Sequence, residues 1–423
     1  MDVRIRKTER LEGRVKIPSS KSYTIRALIA AMLADGEVTV KEPLISRDTR
    51  ACMNVCEKLG AKLKLEDGDV LKVLGVGGTP APQSGLIDCM NSGTTLRIAT
   101  AVASLSEKPV SFTGDESLRS RPIQPLLDAL AQAGVHGEAV NGNPPVKVRG
   151  PFTGGRIEIA GNLSSQYLSA LLMTAPLAEK DSEIILASPL KSRPYVDLTL
   201  SVLGKFGVKV KNKNYSKFQI PGRQKYGAKE YVVEGDYSSA AFILAAAALT
   251  GGKVEVLNLN KDSLQADKKI VEILGKMGAK IEAKQNSVII EGGNKLKGAT
   301  IDLSNSPDLL PIISVLGACA EGETRIVNTE HARLKECDRI NAMATELFKM
   351  GADLEEADDG LILGKSCLSG CEVHGWLDHR IIMSLAVAGL CAEGETKITG
   401  AEHIDVTYPD FFKDLKTLGA KIN

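Results

Sequence analysis

Lys58-Leu59-Gly60-Ala61-Lys62 reads as the end of an amphipathic helix, a glycine, and the start of a strand. The phrase returns five times, as Gln132-Ala133-Gly134-Val135, Lys205-Phe206-Gly207-Val208, Lys276-Met277-Gly278-Ala279, Lys349-Met350-Gly351-Ala352 and Thr417-Leu418-Gly419-Ala420. Successive glycines stand 68 to 74 residues apart. The spacing predicts six copies of one unit of about 72 residues, the signature of a repeat architecture. Each glycine falls where a helix ends on a left-handed residue, a conformation that costs glycine nothing.

A second phrase precedes the first in four units: Gly36-Glu37-Val38, Gly252-Lys253-Val254, Gly322-Glu323-Thr324 and Gly394-Glu395-Thr396. It closes one helix and opens a strand. Around Lys108 and Lys180 the same role is filled without glycine. Each unit therefore reads strand, helix, strand, helix, hairpin, with hairpin turns at Asp67-Gly68 and Asp359-Gly360. Alternating strands and helices indicate the α/β class. The sixth unit stops at Asn423 without its second hairpin strand, while Val3-Arg4-Ile5-Arg6 is a surplus strand. The expectation is that this N-terminal strand completes the sixth unit. Three units then form one domain, residues 14–229, and the other three a second, residues 1–13 plus 230–423. The two crossings make a hinge.

Length and composition agree. At about 150 residues per domain, 423 residues imply two or three. Apolar residues are 43% and charged residues 25%, with 53 basic against 52 acidic side chains. A net charge of +1 argues against a protein held on nucleic acid by bulk charge. The longest apolar run, Ala240 to Leu249, is half of what a membrane helix needs. The first seven residues have no apolar segment, which predicts no signal peptide. The eight scattered cysteines are expected to be buried, reduced thiols of a cytoplasmic protein. The five histidines show no metal spacing with them, so no metal is expected.

Polar residues collect at one recurring place. Ser22, Thr94, Ser165, Ser238, Asp308 and His379 keep the repeat interval and open the first helix of each unit. Taken alone they are helix caps. Their neighbours include Lys21, Arg26, Arg97 and Arg380, which a cap does not need. Helix N-termini carry free N–H groups and partial positive charge, so such starts bind anions. Two faces of them across a hinge suit phosphates and carboxylates. Arg119-Ser120-Arg121-Pro122 precedes a second-position helix, with Pro122 expected in its first turn. In Arg333-Leu334-Lys335-Glu336-Cys337-Asp338-Arg339, Lys335 and Arg339 are expected on one helical face with Glu336 beside them. Taken alone, that motif reads as a solvated helix with ion pairs.

In order and at matching intervals, Ser20-Lys21-Ser22 with Arg26, Asn91-Ser92-Gly93-Thr94-Thr95-Leu96-Arg97, Arg121-Pro122-Ile123, Ser164-Ser165-Gln166-Tyr167, Ser192-Arg193-Pro194-Tyr195, Lys335-Glu336-Cys337-Asp338-Arg339 and Asp378-His379-Arg380 resemble the 5-enolpyruvylshikimate-3-phosphate synthases. The resemblance runs almost end to end. It implies a two-domain inside-out α/β barrel, each domain three βαβαββ units. It implies transfer of the enolpyruvyl group of phosphoenolpyruvate to the 5-hydroxyl of shikimate 3-phosphate, by addition and then elimination of phosphate. Such chemistry needs acid–base groups and fixed positive charge, and no cofactor or covalent nucleophile.

Carried over by this resemblance, Lys21, Ser22, Arg26, Ser164, Ser165, Gln166, Ser192, Asp308 and Lys335 hold shikimate 3-phosphate. Lys21, Gly93, Arg121, Gln166, Arg339 and Arg380 hold phosphoenolpyruvate. Asp308 accepts the hydroxyl proton, Glu336 donates to carbon 3, and Lys21 reaches both substrates. Two positions depart from the common pattern: His331 stands where many members have Asn, and Val406 where many have Lys. The second leaves the phosphoenolpyruvate set one cation short. The UDP-N-acetylglucosamine enolpyruvyl transferases share the fold. Their loop cysteine before the matching arginine is missing from Phe112–Arg119. A non-catalytic anion binder would explain the helix starts, but not Asp308 and Glu336 among cations. The expected partners are the two small substrates, with no nucleic acid and no membrane, and the resemblance implies a monomer.

Overall fold

In the computed structural model, which describes residues 1–83 and 85–423, the chain forms two compact units, residues 19–233 and residues 1–18 with 234–423. All six glycines of the opening phrase have positive φ, from 79° at Gly207 to 108° at Gly60. The repeat punctuation is thus backbone geometry that a Cβ would strain.

Each repeat becomes a four-stranded sheet of constant design. Gly155–Ile159 runs parallel to Ser182–Leu186, which is antiparallel to Lys217–Ile220, which is antiparallel to Lys211–Lys213. The other five sheets share this order. The parallel step needs a crossover helix, and the antiparallel steps need only a hairpin. Asp67 and Gly68, both at positive φ, make the primed turn that matches strand twist.

The first helix of each repeat lies inside its unit. In the unit of residues 1–18 and 234–423, the helices Tyr237–Leu249, Leu310–Cys319 and His379–Cys391 pack on one another and are buried nearly all round. Small residues such as Ala240, Ala241 and Ala245 are buried among them, and Gly389 lets its helix lie close to the strands that carry Ile5 and Thr396. A helix apolar on every side has no solvent face, so the sheets stand outside it. In the unit of residues 19–233, Lys21–Leu33, Gly93–Ala103 and Ser165–Thr174 are buried in the same way. This is the inside-out arrangement. It buries the sides of the inner helices and leaves polar residues in their first turns.

The strand Val3–Arg6 pairs with Glu395–Thr399 on one side and Lys421–Ile422 on the other. The crossings fall after Pro18 and after Val233, a few residues beyond 14 and 229. The reason is an exchange of strands. Gly13–Lys16, which leads into the helix of the first repeat, pairs with Lys253–Leu257 of the fourth. Glu230–Val232, which leads into the fourth, pairs with Glu37–Lys41 of the first. Of the cysteines, all free, only Cys52, Cys56 and Cys89 are fully buried. Cys367 is exposed, in the segment after the strand Gly360–Gly364, so the expectation of eight buried thiols fails. No described helix is long and apolar enough to cross a membrane.

Candidate active site

The expected residues divide between the units. Lys21, Ser22, Arg26, Gly93, Arg121, Ser164, Ser165, Gln166 and Ser192 lie in residues 19–233; Asp308, Lys335, Glu336, Arg339 and Arg380 lie in the other. The repeat positions sit in the first turns of their helices, just after the actual caps Ser20, Ser92, Ser164, Asp236 and Asp378. Asp308 instead occupies a single 3-10 turn, Pro307–Leu309, ahead of its helix.

Arg26 ties together two of these starts and that of the helix Arg193–Lys205. It is 1% exposed, and its Nε donates to Thr199 Oγ1 at 2.8 Å. Its Nη2 donates to Tyr195 O at 3.2 Å and Ser169 Oγ at 3.5 Å, and its Nη1 to Ser22 O at 2.9 Å. Thr199 Oγ1 lies 2.8 Å from Ser169 Oγ. One guanidinium therefore ties the helices Lys21–Leu33, Ser165–Thr174 and Arg193–Lys205 together one turn below their starts. Ser22, Ser165 and Ser192 occupy those starts. Ser192 takes a left-handed φ of 55°, an uncommon posture for a residue other than glycine. No carboxylate pairs with Arg26 among the described residues, and burial pulls its guanidinium down to about 10. A buried cation beneath three helix N-termini creates a standing demand for an anion. Lys21 adds its ammonium and is held by Asp48 Oδ2 at 3.0 Å.

A second cluster surrounds Gly93. A Cβ on Gly93 would lie 2.8 Å from Arg97 Nη1 and 3.2 Å from Arg121 Nη1, so two guanidiniums converge on a bare helix start. Arg121 Nη2 is fixed by Asn91 Oδ1 at 3.0 Å and Ser117 Oγ at 2.9 Å. Gln166 joins this cluster to the serine helix: its Oε1 accepts from Arg97 Nη1 at 2.6 Å and its Nε2 donates to Thr94 Oγ1 at 3.0 Å. Pro122 lies ahead of the helix Gln124–Ala131, whose first turn carries Pro125 instead. Its carbonyl does the work, accepting from Arg97 Nη2 and from Tyr167 Oη.

In the other unit Asp308 is caged by cations. Oδ1 lies 2.8 Å from Arg339 Nη1 and 3.4 Å from Lys335 Nζ, and Oδ2 3.0 Å from Arg380 Nη2. Arg339 also holds Glu336 Oε2 at 2.6 Å and Asp378 Oδ2 at 2.7 Å. Burial would pull Arg339 down, but Asp378, Glu336 and Asp308 more than offset it and hold it well above the usual arginine range. The expected single helical face is not there. The helix begins at Arg339, capped by Asp338, and Lys335 ends a separate 3-10 turn, Glu330–Leu334. Lys335 and Arg339 meet through Asp308 rather than through helical spacing. His331 lies in that same turn. Val406, 3% exposed, closes the 3-10 segment Ala401–Val406.

Four further residues shape these clusters. Arg97, Asn91 and Asp378 stand inside the motifs of the sequence but received no role of their own there, and Asp48 stands outside them. Asp48, Asn91 and Asp378 act as partners of Lys21, Arg121 and Arg339, and nothing in their spacing announces those pairings.

Inner helix starts backed by buried arginines lie in one unit, and the carboxylates Asp308 and Glu336, gripped by Arg339, lie in the other. A sequence profile of the family EPSP synthase (3-phosphoshikimate 1-carboxyvinyltransferase) matches residues 5–415. The 3-phosphoshikimate 1-carboxyvinyltransferase of Methanocaldococcus jannaschii is 47% identical over 426 residues, covering 99% of this chain and 98% of that one. That of Methanosarcina mazei is 46% identical over 419 residues, covering 97% and 96%. The solved structure of EPSP synthase from Acinetobacter baumannii superposes with a TM-score of 0.84 at 28% identity, covering 100% of this chain and 99% of that one. The chain belongs to the EPSP synthase family.

Proposed function

We propose that the chain transfers the enolpyruvyl group of phosphoenolpyruvate to the 5-hydroxyl of shikimate 3-phosphate and releases phosphate. The observation that carries this reading is Asp308, a carboxylate held by Arg339, Arg380 and Lys335, with Glu336 on the same Arg339. A pure anion site would be weakened by carboxylates, whereas a proton-transfer site needs them. In this reading the Arg26-tied helix starts, with Lys21, take the sugar-acid phosphate, assisted by Gln166. Gly93 and Arg121, with Arg339 and Arg380, take phosphoenolpyruvate, because guanidinium forks fit carboxylate and phosphate.

The hydroxyl oxygen bonds to carbon 2 of phosphoenolpyruvate, its proton passes to Asp308, and Glu336 protonates carbon 3. Glu336 then takes a proton back from carbon 3, the carbon 2–phosphate bond breaks, and phosphate leaves with the proton held by Asp308. Fixed cations stabilise the charge that builds on the departing phosphate. The reading also has the chain working as a monomer in the cytoplasm, in line with its resemblance to the family; light scattering tests the first. The decisive assay is phosphate release. It should require both substrates, and UDP-N-acetylglucosamine should not replace shikimate 3-phosphate. Absence of release with both present overturns the proposal.

A further inference from the structure

The fourth helix start, Gly235-Asp236-Tyr237-Ser238-Ser239, has no part in the reaction proposed above, yet its Ser238 leads to a buried carboxyl. Ser238 Oγ donates to Asp267 Oδ2. Asp267 sits in the 3-10 turn Ala266–Lys268 and is 1% exposed. Its other oxygen, Oδ1, is buried with no hydrogen-bond partner among the described residues. This turn is pinned to the turn that carries Asp308, since Ser306 Oγ donates to Ala266 O at 3.0 Å. The two carboxyls thus stand one and two residues from the ends of a single bond. Arg380, paired with Asp308 Oδ2, is the cation that both feel.

We propose that Asp267 is a positioning residue for Asp308: it stands as a neutral carboxylic acid, anchored by Ser238, and by staying neutral it leaves Arg380 to Asp308 and the anionic substrate. The inference rests on Asp308 being the proton acceptor. An orphaned buried oxygen is far less costly on a neutral carboxyl than on a carboxylate. Two buried carboxylates that feel each other's charge and that of one guanidinium do not both ionise readily, and such a pair titrates as a unit. The groups facing Asp267 are Asp308 from its own turn, Arg380 from the helix His379–Cys391, and Asp236 and Ser238 from the start of Tyr237–Leu249. On its own turn Lys268 points away, its Nζ donating to Lys261 O. Burial and then Asp308, joined by Asp236, push Asp267 up to about 7 against Arg380 and Ser238. Above that pH a second anion appears beside Asp308 and competes for Arg380.

The test is the pH profile of kcat/KM for phosphoenolpyruvate in the wild-type protein, Asp267→Asn and Asp267→Ala. The wild type should lose about tenfold, chiefly through KM, as pH rises through neutrality, if the substrate moves Asp267 by about one pKa unit. Asp267→Asn should lack that fall and should exceed Asp267→Ala at pH 6, since only Asn preserves the bond to Ser238. An Asn variant that falls with pH as the wild type does overturns the proposal. Infrared titration of the unliganded wild type gives a second readout. A protonated carboxyl band should vanish on raising the pH and be missing from Asp267→Asn, and a wild type without that band also overturns the proposal. Asp308→Asn separates the two readings: full activity there would refute Asp308 as acceptor, whereas the infrared band belongs to Asp267 alone.

Discussion

Gly93 shows how little room is left at its helix start. Its missing Cβ would stand within 3.2 Å of the guanidinium ends of Arg97 and Arg121. Both are tips of long side chains, so Gly93→Ala should fold normally and displace them. The expected result is a larger loss of phosphoenolpyruvate affinity than of shikimate 3-phosphate affinity, read by titrating each ligand. Equal losses would remove Gly93 from the phosphoenolpyruvate set. Asp308→Asn keeps the shape of the cage and deletes the base. Turnover should fall about 10²-fold or more while shikimate 3-phosphate still binds. A rate near wild type would exclude Asp308 from proton transfer. Asp267 makes a separate stability prediction. Its folded-state value, about 7, lies above the ordinary aspartate value of about 3.9. The folded protein therefore holds a proton that the unfolded chain has released, and stability falls as pH rises from about 4 towards 7. Asp267→Asn should remove that slope. Its melting temperature should gain on the wild type between pH 5 and pH 8, and an unchanging difference would contradict the assignment.

Helices reach the site through ties set one turn back from their starts. Arg26, Ser169 and Thr199 all lie in second turns, and their mutual bonds bring three N-termini into one place. Thr199→Val keeps the volume but leaves the buried Nε of Arg26 without its acceptor. The cost should be about 1–3 kcal/mol of stability, visible in thermal unfolding. Shikimate 3-phosphate should bind more weakly although Thr199 itself is buried and is not among the residues expected to hold the ligand. Unchanged binding would mean that the helix starts hold their places without the Arg26 tie.

Both ends of the chain meet in one sheet. Val3–Arg6 fills the gap between Glu395–Thr399 and Lys421–Ile422, with Val3 and Ile5 buried in the core. Burying two such side chains is worth about 3–6 kcal/mol, a large share of the roughly 5–15 kcal/mol that holds a typical domain together. Deleting residues 1–6 should therefore make residues 234–423 protease-sensitive well before residues 19–233. Equal resistance of the two units would show that the sheet tolerates losing that strand.

The repeat, its period, the α/β class and the role of the N-terminal strand were all legible in the chain, because they rest on local chemistry: glycines at helix ends, strand and helix periodicity, and a count of strands that does not close. Candidate anion-binding residues were legible for a related reason, since helix-start polar residues recur in register. The exchange of Gly13–Lys16 and Glu230–Val232 between repeats was not, because each strand is equally compatible with the helix that follows it and only sheet pairing chooses. The ion pairs Lys21–Asp48 and Arg339–Asp378 and the link from Ser238 to Asp267 were hidden for the same physical reason. Their members are 27 to 39 residues apart, and a salt bridge or a shared proton depends on a few ångströms that spacing along the chain does not encode. Local propensity could name the groups at each helix start, but only packing decided which carboxylate each cation would hold.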